Sequence, residues 1–465
     1  MLRHSLLAVA TASFLLVPAA HASVELIAVG GLSGHDRDLS VETAAPLENG
    51  AAGNLLGGLG SALAYAGGNT FLALPDRGPN ASAYNASISD STSYINRFQT
   101  LRMTLTAAAP GAVLPFELTP SLAATTLLHV GRPLVYGDGV AAGVPNGAPG
   151  LNQVHHTHYL TGRADNFDAF QSSTSLTNAR LDPEGLRVSN DGASVFITDE
   201  YGPYVYRFNR KTGQRTEVYT SPESFAALHL SANGDEEISA NSVGRVANKG
   251  MEGLAISPDG KALFGIMQSP LLQDGATAAP YTRIVRIDLQ TGATSQYVYP
   301  LSNTGTASKP KYPSVSEIVA INGQEFLIAE RDGKGLGDNS TAAFKRLYRV
   351  DLSGATDVSG LAGSAALAPY AVSKTLFLDL VAALGTHGFT AANVPAKLEG
   401  VSFGPDVIID GATKHTLWVA NDNDFVGTVT DALHPAGIEN PNLFFVFAVD
   451  AADLPSFQAQ GLIGR

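Results

Sequence analysis

The chain contains no cysteine among its 465 residues, and only 15% of them carry a charge. The first absence excludes disulfides, thiolate metal sites and thiol nucleophiles. Basic residues are the scarcer sign, 29 Lys and Arg against 42 Asp and Glu for a net charge of −13. That balance excludes a broad electrostatic footprint for nucleic acid or an anionic membrane and favours cation binding. Also missing are G-x-S-x-G, H-E-x-x-H and G-x-x-x-x-G-K-[ST], the simplest signatures of a serine hydrolase, a zinc protease and a P-loop enzyme. Beyond the first 22 residues no apolar run is long enough to span a bilayer.

What is present is apolar material and turns: 45% hydrophobic residues, 48 glycines and 25 prolines. Helix-period patterns do not extend far, so short strands joined by many turns are expected, and one all-β unit can reach this size. Residues 1–22 have a basic start at Arg3, an apolar centre from Leu6 to Val17 and small Ala20 and Ala22. They read as a cleaved secretory signal without a lipid-attachment cysteine, leaving 23–465 as one secreted or periplasmic domain.

The stretch LDPEGLRVSNDGASVFITDEYGP, 181–203, is two apolar runs around an Asn190-Asp191-Gly192 turn, with acidic corners at both ends. Four further segments share the design, at 58–79, 249–270, 314–333 and 397–424. Glu-Gly recurs at Glu184, Glu252 and Glu399, Ser316-Glu317-Ile318 varies it, and Ser61 stands in the first copy. Glu184 to Glu252 is 68 residues, Glu252 to Glu317 is 65 and Glu317 to Glu399 is 82, while Ser61 to Glu184 is 123, close to two units. Strand pairs with Thr-Gly turns at 204–220 and 281–300 lie between the hairpins, as do 94–105 and 345–354. This is the pattern of a β-propeller with insertions. The count comes to six blades, with five or seven open, one blade between about 110 and 180, and a small helical insertion at 374–384. The runs 24–30 and 442–450 are expected to pair and close the ring. A β-sandwich would not give so constant a motif.

Positions equidistant from a hairpin turn sit opposite each other, which brings Glu184 near Asp199, Ser61 near Asp76, Glu317 near Glu330 and Glu399 near Asn421. If the hairpins are inner strands, their polar ends crowd one channel mouth. Such carboxylates need protons, basic partners or a cation, and oxygen-only donors suit Ca²⁺ better than Zn²⁺. A ring of Glu184, Glu252, Glu317 and Glu399 with Asn421 and Asp422 is therefore a candidate calcium centre. The plainer alternative is that Glu-Gly only turns the chain into the strand. Paired acids and arginines at the second corners, DRGP, DEYGP, ERDG and NDND, argue against it. His155-His156-Thr157-His158 is weighed as a metal site or a packed loop, and Asn421-Asp422-Asn423-Asp424 fails the EF-hand pattern.

The motifs LPDRGP (74–79), DPEGLRV with ITDEYGP (182–203), GMEGLAISPDG (250–260), EIVAINGQEFLIAERDG (317–333) and KLEGVSF with LWVANDND (397–424) resemble the secreted phytase-like family, often labelled "esterase-like activity of phytase". The resemblance implies a propeller hydrolase related in design to calcium-dependent phytases and to lactonase propellers, with Ca²⁺ at the mouth. It implies Glu184, Glu252, Glu399, Asn421 and Asp422 as metal ligands. Glu317, Glu330, Asp199 and Glu200 become the acid–base groups, and Arg77, Arg331, Asp76 and Lys249 the substrate-binding ones. So few cations make phytate a poor fit. The expected function is calcium-dependent hydrolysis of a small-molecule ester or phosphoester by a monomer. The alternatives are a noncatalytic, calcium-stabilised propeller binding a ligand or protein, and a lactonase.

Overall fold

A computed structural model describes residues 24–80, 89, 91–137, 153–154, 156–202 and 204–463; the signal-like segment and His155 lie outside the described residues. The strands form five four-stranded antiparallel blades. From the centre outward, blade 1 is Ala62–Tyr65, Thr70–Leu74, Arg97–Ala107 and Phe116–Leu127. Blade 2 is Leu186–Val188, Ser194–Asp199, Tyr204–Asn209 and Arg215–Thr220. Blade 3 is Met251–Ile256, Ala262–Met267, Tyr281–Asp288 and Thr294–Pro300. Blade 4 is Ser314–Ala320, Glu325–Arg331, Lys345–Asp351 and Lys374–Asp379. Blade 5 is Lys397–Phe403, Ala412–Asp422 and Asn442–Asp450, completed by the N-terminal strand Val24–Leu32.

That last pairing runs from Val24 opposite Val449 to Leu32 opposite Asn442. The first and last strands of the described chain thus share a sheet, as the two apolar runs led one to expect. Closure gives the first and last blades a packed neighbour on both faces, so no apolar blade face is left uncovered.

The structure has five blades rather than six. Phe116–Leu127 does not start a new blade; it is the outer strand of blade 1, paired along its whole length with Arg97–Ala107. The 123-residue step is one blade plus an insertion, which holds a small sheet of His129–Val130, Thr157–Tyr159 and Gln153–Val154. A second correction concerns 374–384. Lys374–Asp379 is the outer strand of blade 4, and helix begins only at Leu380–Gly385, where the Asp379 carboxylate caps the Ala382 amide at 3.1 Å. The β-branched and aromatic character of Thr375 and Phe377 prevails over the leucine spacing.

Each blade is apolar on both faces, because neighbouring blades pack against both. In Ser194–Asp199, Val195 and Ile197 join the cluster with blade 1, while Phe196 joins that with blade 3. Five such clusters, one per interface, complete the circle. The recurring Glu-Gly has its reason here. A Cβ at Gly185 would lie 2.8 Å from Leu254 Cβ, at Gly253 2.7 Å from Glu317 Cα and at Gly400 2.9 Å from Leu63 N. Glycine lets each inner strand approach the next one closely, which holds the preceding glutamate at the channel mouth.

Candidate functional site

The ladder registers define equivalent positions. The pairs Leu63–Ala73, Leu186–Ile197, Leu254–Gly265, Ile318–Ile328 and Val401–Val419 occupy the same level in the five blades. Two residues before the first member stand Ser61, Glu184, Glu252, Ser316 and Glu399. Three residues after the second stand Asp76, Glu200, Gln268, Arg331 and Asp422. All ten are buried, and their mutual interactions place them around one mouth of the channel.

Two groups of three carboxylates form within this ring. Oxygens of Asp182, Glu184 and Glu200 lie within 4.8 Å of one another, as do those of Asp76, Asp422 and Asp424. Asp182, wholly buried, accepts from the Arg77 amide at 3.1 Å and from its guanidinium at 2.9 Å. Glu200 accepts from the Gly250 amide at 2.8 Å and lies close enough to Glu252 for the two to share a proton. The other Glu252 oxygen, Oε2, is buried without a hydrogen-bond partner. Burial, together with repulsion from neighbouring carboxylates, raises the pKa of Glu184, Glu200 and Glu252. In the second group Lys397 bonds to both Asp422 and Asp424 and lies 4.0 Å from Glu399.

The arginines are half engaged. Arg77 bonds Asp182 and Asn248, and Arg331 pairs with Glu399, yet Nε of each is buried without a partner. Lys249 donates to Gln268 at 2.9 Å.

Successive strand residues point to opposite faces, and this separates the paired corner residues. Asp199 is opposite Glu184 by register, but its carboxylate turns away, accepting from the amides of Asp182 at 3.1 Å and Tyr201 at 3.0 Å and from Tyr206 Oη at 3.4 Å. Burial lifts it to about 7. Glu330 faces the gap between blades 3 and 4, where it accepts from Tyr299 Oη at 2.6 Å and pairs with Lys374. Asn421 receives the Leu443 amide at 2.5 Å inside blade 5. Glu317 stands one position past the ring, in the place the glycines hold elsewhere. Its carboxylate accepts from the Leu254 amide at 3.0 Å and pairs with Arg187 at 3.2 Å, while burial raises it to about 7. The ring position in that blade is Ser316.

The structure therefore brings together Glu184, Glu200, Glu252, Glu399, Asp76, Asp422, Arg77 and Arg331, with Lys249 at their edge. It sets Asp199, Glu330, Asn421 and Glu317 apart. Asp182, Asp424 and Lys397 join the site without having been assigned roles; each adjoins a repeat motif, which is the signal that marks them. His158 pairs with Val130 and Gln153 in the small insertion sheet, and no group that could hold a metal ion, among the described residues, contains a histidine.

Fold and site together define a closed five-bladed propeller with a carboxylate ring at one channel mouth. The chain belongs to the phytase-like family, whose model, "Esterase-like activity of phytase", matches residues 54–425; that membership suggests a hydrolase. An uncharacterized secreted protein of Arthroderma benhamiae is 30% identical over 336 residues, covering 60% of this chain and 60% of that protein. The chain thus spans about three fifths of that relative's length. Among solved structures, a putative 6-phosphogluconolactonase from Bacteroides uniformis matches 91% of this chain and 98% of its own, at 14% identity and a TM-score of 0.30. The hydrazine synthase of Kuenenia stuttgartiensis matches 79% and 78%, at 9% identity and a TM-score of 0.29. No helix among the described residues is long and apolar enough to cross a membrane.

Proposed function

We propose that the carboxylate mouth is the active site of a secreted, calcium-dependent hydrolase of small esters or phosphoesters. The observation that carries this is the Asp182–Glu184–Glu200 group, with the partnerless buried oxygen of Glu252 beside it. Two oxygens bound to one Ca²⁺ at ~2.4 Å lie no more than ~4.8 Å apart, which the spacing meets. The donors are all oxygen, as Ca²⁺ prefers. Asp182, Glu184 and Glu200 would hold the ion, with Glu252 beside them, and Lys397 already pairs with Asp422 and Asp424 in the other group. A calcium ion there supplies Lewis-acid polarisation of the ester oxygen and a more acidic water.

The remaining chemistry belongs to side chains. Glu252, whose pKa is raised by burial and by Glu200 and Glu399, can accept the proton of the attacking water and return it to the leaving alkoxide. Arg77 and Arg331, each of whose buried Nε has no partner among the described residues, would pair with an anionic substrate group and offset the charge that develops on it, with Lys249 at the rim. Glu317 and Asp199 act as positioning residues, through Arg187 and the Asp182 amide respectively, while Glu330 with Lys374 supports the packing of blades 3 and 4.

The test is melting temperature after EDTA treatment and after return of Ca²⁺. It is followed by hydrolysis of aryl esters, lactones, phosphomonoesters and phosphodiesters by the native chain and Glu200→Gln. A calcium-dependent rise in melting temperature and activity lost in the variant are expected. Absence of any metal response sinks the ion site. A metal response with no hydrolysis of any substrate class leaves a noncatalytic binding propeller in its place.

A further inference from the structure

The channel has a second mouth, and it is of different character. There the inner strands open on a cavity of about 330 Å³ with walls from all five blades: Tyr65, Val188, Ile256, Ala320 and Phe403, in blade order. Small-molecule sites run from ~300 to ~1,000 Å³, so the volume is that of a compact ligand. Arg187 separates this space from the carboxylate ring. Its guanidinium donates to the carbonyls of Leu63 at 3.0 Å, Leu186 at 2.6 Å, Ile318 at 2.9 Å and Val401 at 3.3 Å, and Glu317 meets its charge. A cation so fully engaged gives the floor no anion site.

The chain beyond blade 5 covers the opening. Phe457 packs between Phe403 and His415, with ring centroids 4.6 Å and 4.4 Å away. The Gln458 amide bonds Ile321 O at 2.8 Å, the Gln460 side chain bonds Val188 O at 2.7 Å, and the Gly461 amide bonds Pro258 O at 3.0 Å. The cover is thus tied from blade 4 to blades 2 and 3 by a few hydrogen bonds. At the rim, Asp406 hydrogen-bonds the His415 ring at 3.0 Å.

We propose that this covered cavity is a second binding site, taking a neutral, flat, largely aromatic small molecule. Aromatic and aliphatic walls from five strands recognise such a shape by burial and ring contact, and Arg187, bonded to four carbonyls and paired with Glu317, offers no charge to favour an anion. The inference does not depend on the reaction at the opposite mouth.

The probe is N-phenyl-1-naphthylamine, a neutral fluorophore that brightens on leaving water, titrated into the intact chain. Saturable binding at one site is expected. Ala320→Trp and Ala459→Trp, both lining the cavity and the second on its exposed cover, should each weaken binding by about tenfold or more through loss of space. Glu184→Gln, at the other mouth, should leave it unchanged. Circular dichroism and melting temperature establish that the tryptophan variants are folded, and Ala459→Trp keeps the test sound if Ala320→Trp is not. Absence of saturable binding, binding unaffected by tryptophan in a folded variant, or binding lost in Glu184→Gln would each overturn the proposal.

Discussion

The mouth holds two carboxylate groups built from the same kinds of residue, and they differ in what balances them. In the Asp76–Asp422–Asp424 group the cation is part of the chain. Burial works against ionised Asp424, yet Lys397 prevails and holds it below the usual carboxylate range. Asp422 is lifted by burial only to about 6, with Lys397 opposing. In the Asp182–Glu184–Glu200 group no lysine among the described residues bonds a carboxylate, Lys249 donating instead to Gln268 and acting on Glu200 without a bond, Arg77 pairs with Asp182, and burial with mutual repulsion raises Glu184, Glu200 and Glu252. A buried cluster of this kind is stable ionised only with an added positive charge. One side of the ring has a cation of its own for Asp422 and Asp424, and only Asp76 is raised well above its usual range there, by burial and by Asp422; on the other side Glu184, Glu200 and Glu252 all require a proton or an ion.

Removing a ligand from the second group should have the largest effect. Glu184→Gln or Glu200→Gln is expected to lower kcat/KM by roughly 10²–10⁴-fold and to abolish the calcium-induced rise in melting temperature. Retention of both properties in either variant would break the contrast. Lys397→Met comes next, since it leaves the first group without its counter-charge. Loss of one partner from a buried ion pair costs about 3–5 kcal/mol, measurable by denaturant unfolding in EDTA. Added Ca²⁺ should restore part of that loss, by making the first group resemble the second. If calcium restores nothing, the two groups differ in more than Lys397.

How far this was legible in the sequence depends on the scale of the feature. Repeat hairpins, ring closure between residues 24–30 and 442–450, and the residues that gather at the mouth follow from period, turn symmetry and apolar runs. The blade count does not, because an insertion of the length found between Leu127 and Leu186 has the same spacing as a missing blade. The choice within each acidic doublet is likewise hidden. Asp199 against Glu200, or Asn421 against Asp422, is decided by one step of strand parity, and the bulges between Met251 and Gly253, Val315 and Glu317, and Leu398 and Gly400 shift that parity locally. Glu317 shows the effect: it reads as one of the four Glu of the ring, yet Ser316 occupies the ring position. Lys397 was visible as a flanking cation, but its bond to two aspartates across the blade is a tertiary fact.

The acid groups give the comparison a pH dependence of definite sign. Burial raises Asp199 and Glu317 to about 7 and Asp422 to about 6, and Glu184, Glu200 and Glu252 are raised as well. In the unfolded chain such groups release their protons near pH ~4. Between about 4 and about 7 the folded, metal-free chain therefore binds more protons than the unfolded one, and its stability falls as pH rises. Calcium needs the deprotonated carboxylates, so its benefit grows in the same direction. Melting curves in EDTA should fall from about pH 5 to about pH 8, and the calcium-induced shift should be larger at the upper end. A shift that does not vary with pH would mean that calcium binds away from these carboxylates.

The smallest expected effect on catalysis comes from Glu330→Gln, which tests the parity argument itself. Its carboxylate lies between blades 3 and 4, accepting from Tyr299 Oη and from the Ser302 amide at 3.2 Å while pairing with Lys374. Glutamine keeps the shape and one acceptor oxygen but cannot match the ammonium of Lys374, which is held over the rings of Tyr299 at 4.8 Å and Tyr348 at 4.3 Å. Stability should fall by about 1–3 kcal/mol, the cost of an incompletely satisfied buried group. Because the side chain faces away from the mouth, kcat/KM should stay within about twofold of the native value, as for a change outside the reacting groups. Loss of activity comparable to that of Glu184→Gln, in a variant that remains folded, would place Glu330 in the chemistry and undo the separation of the two faces.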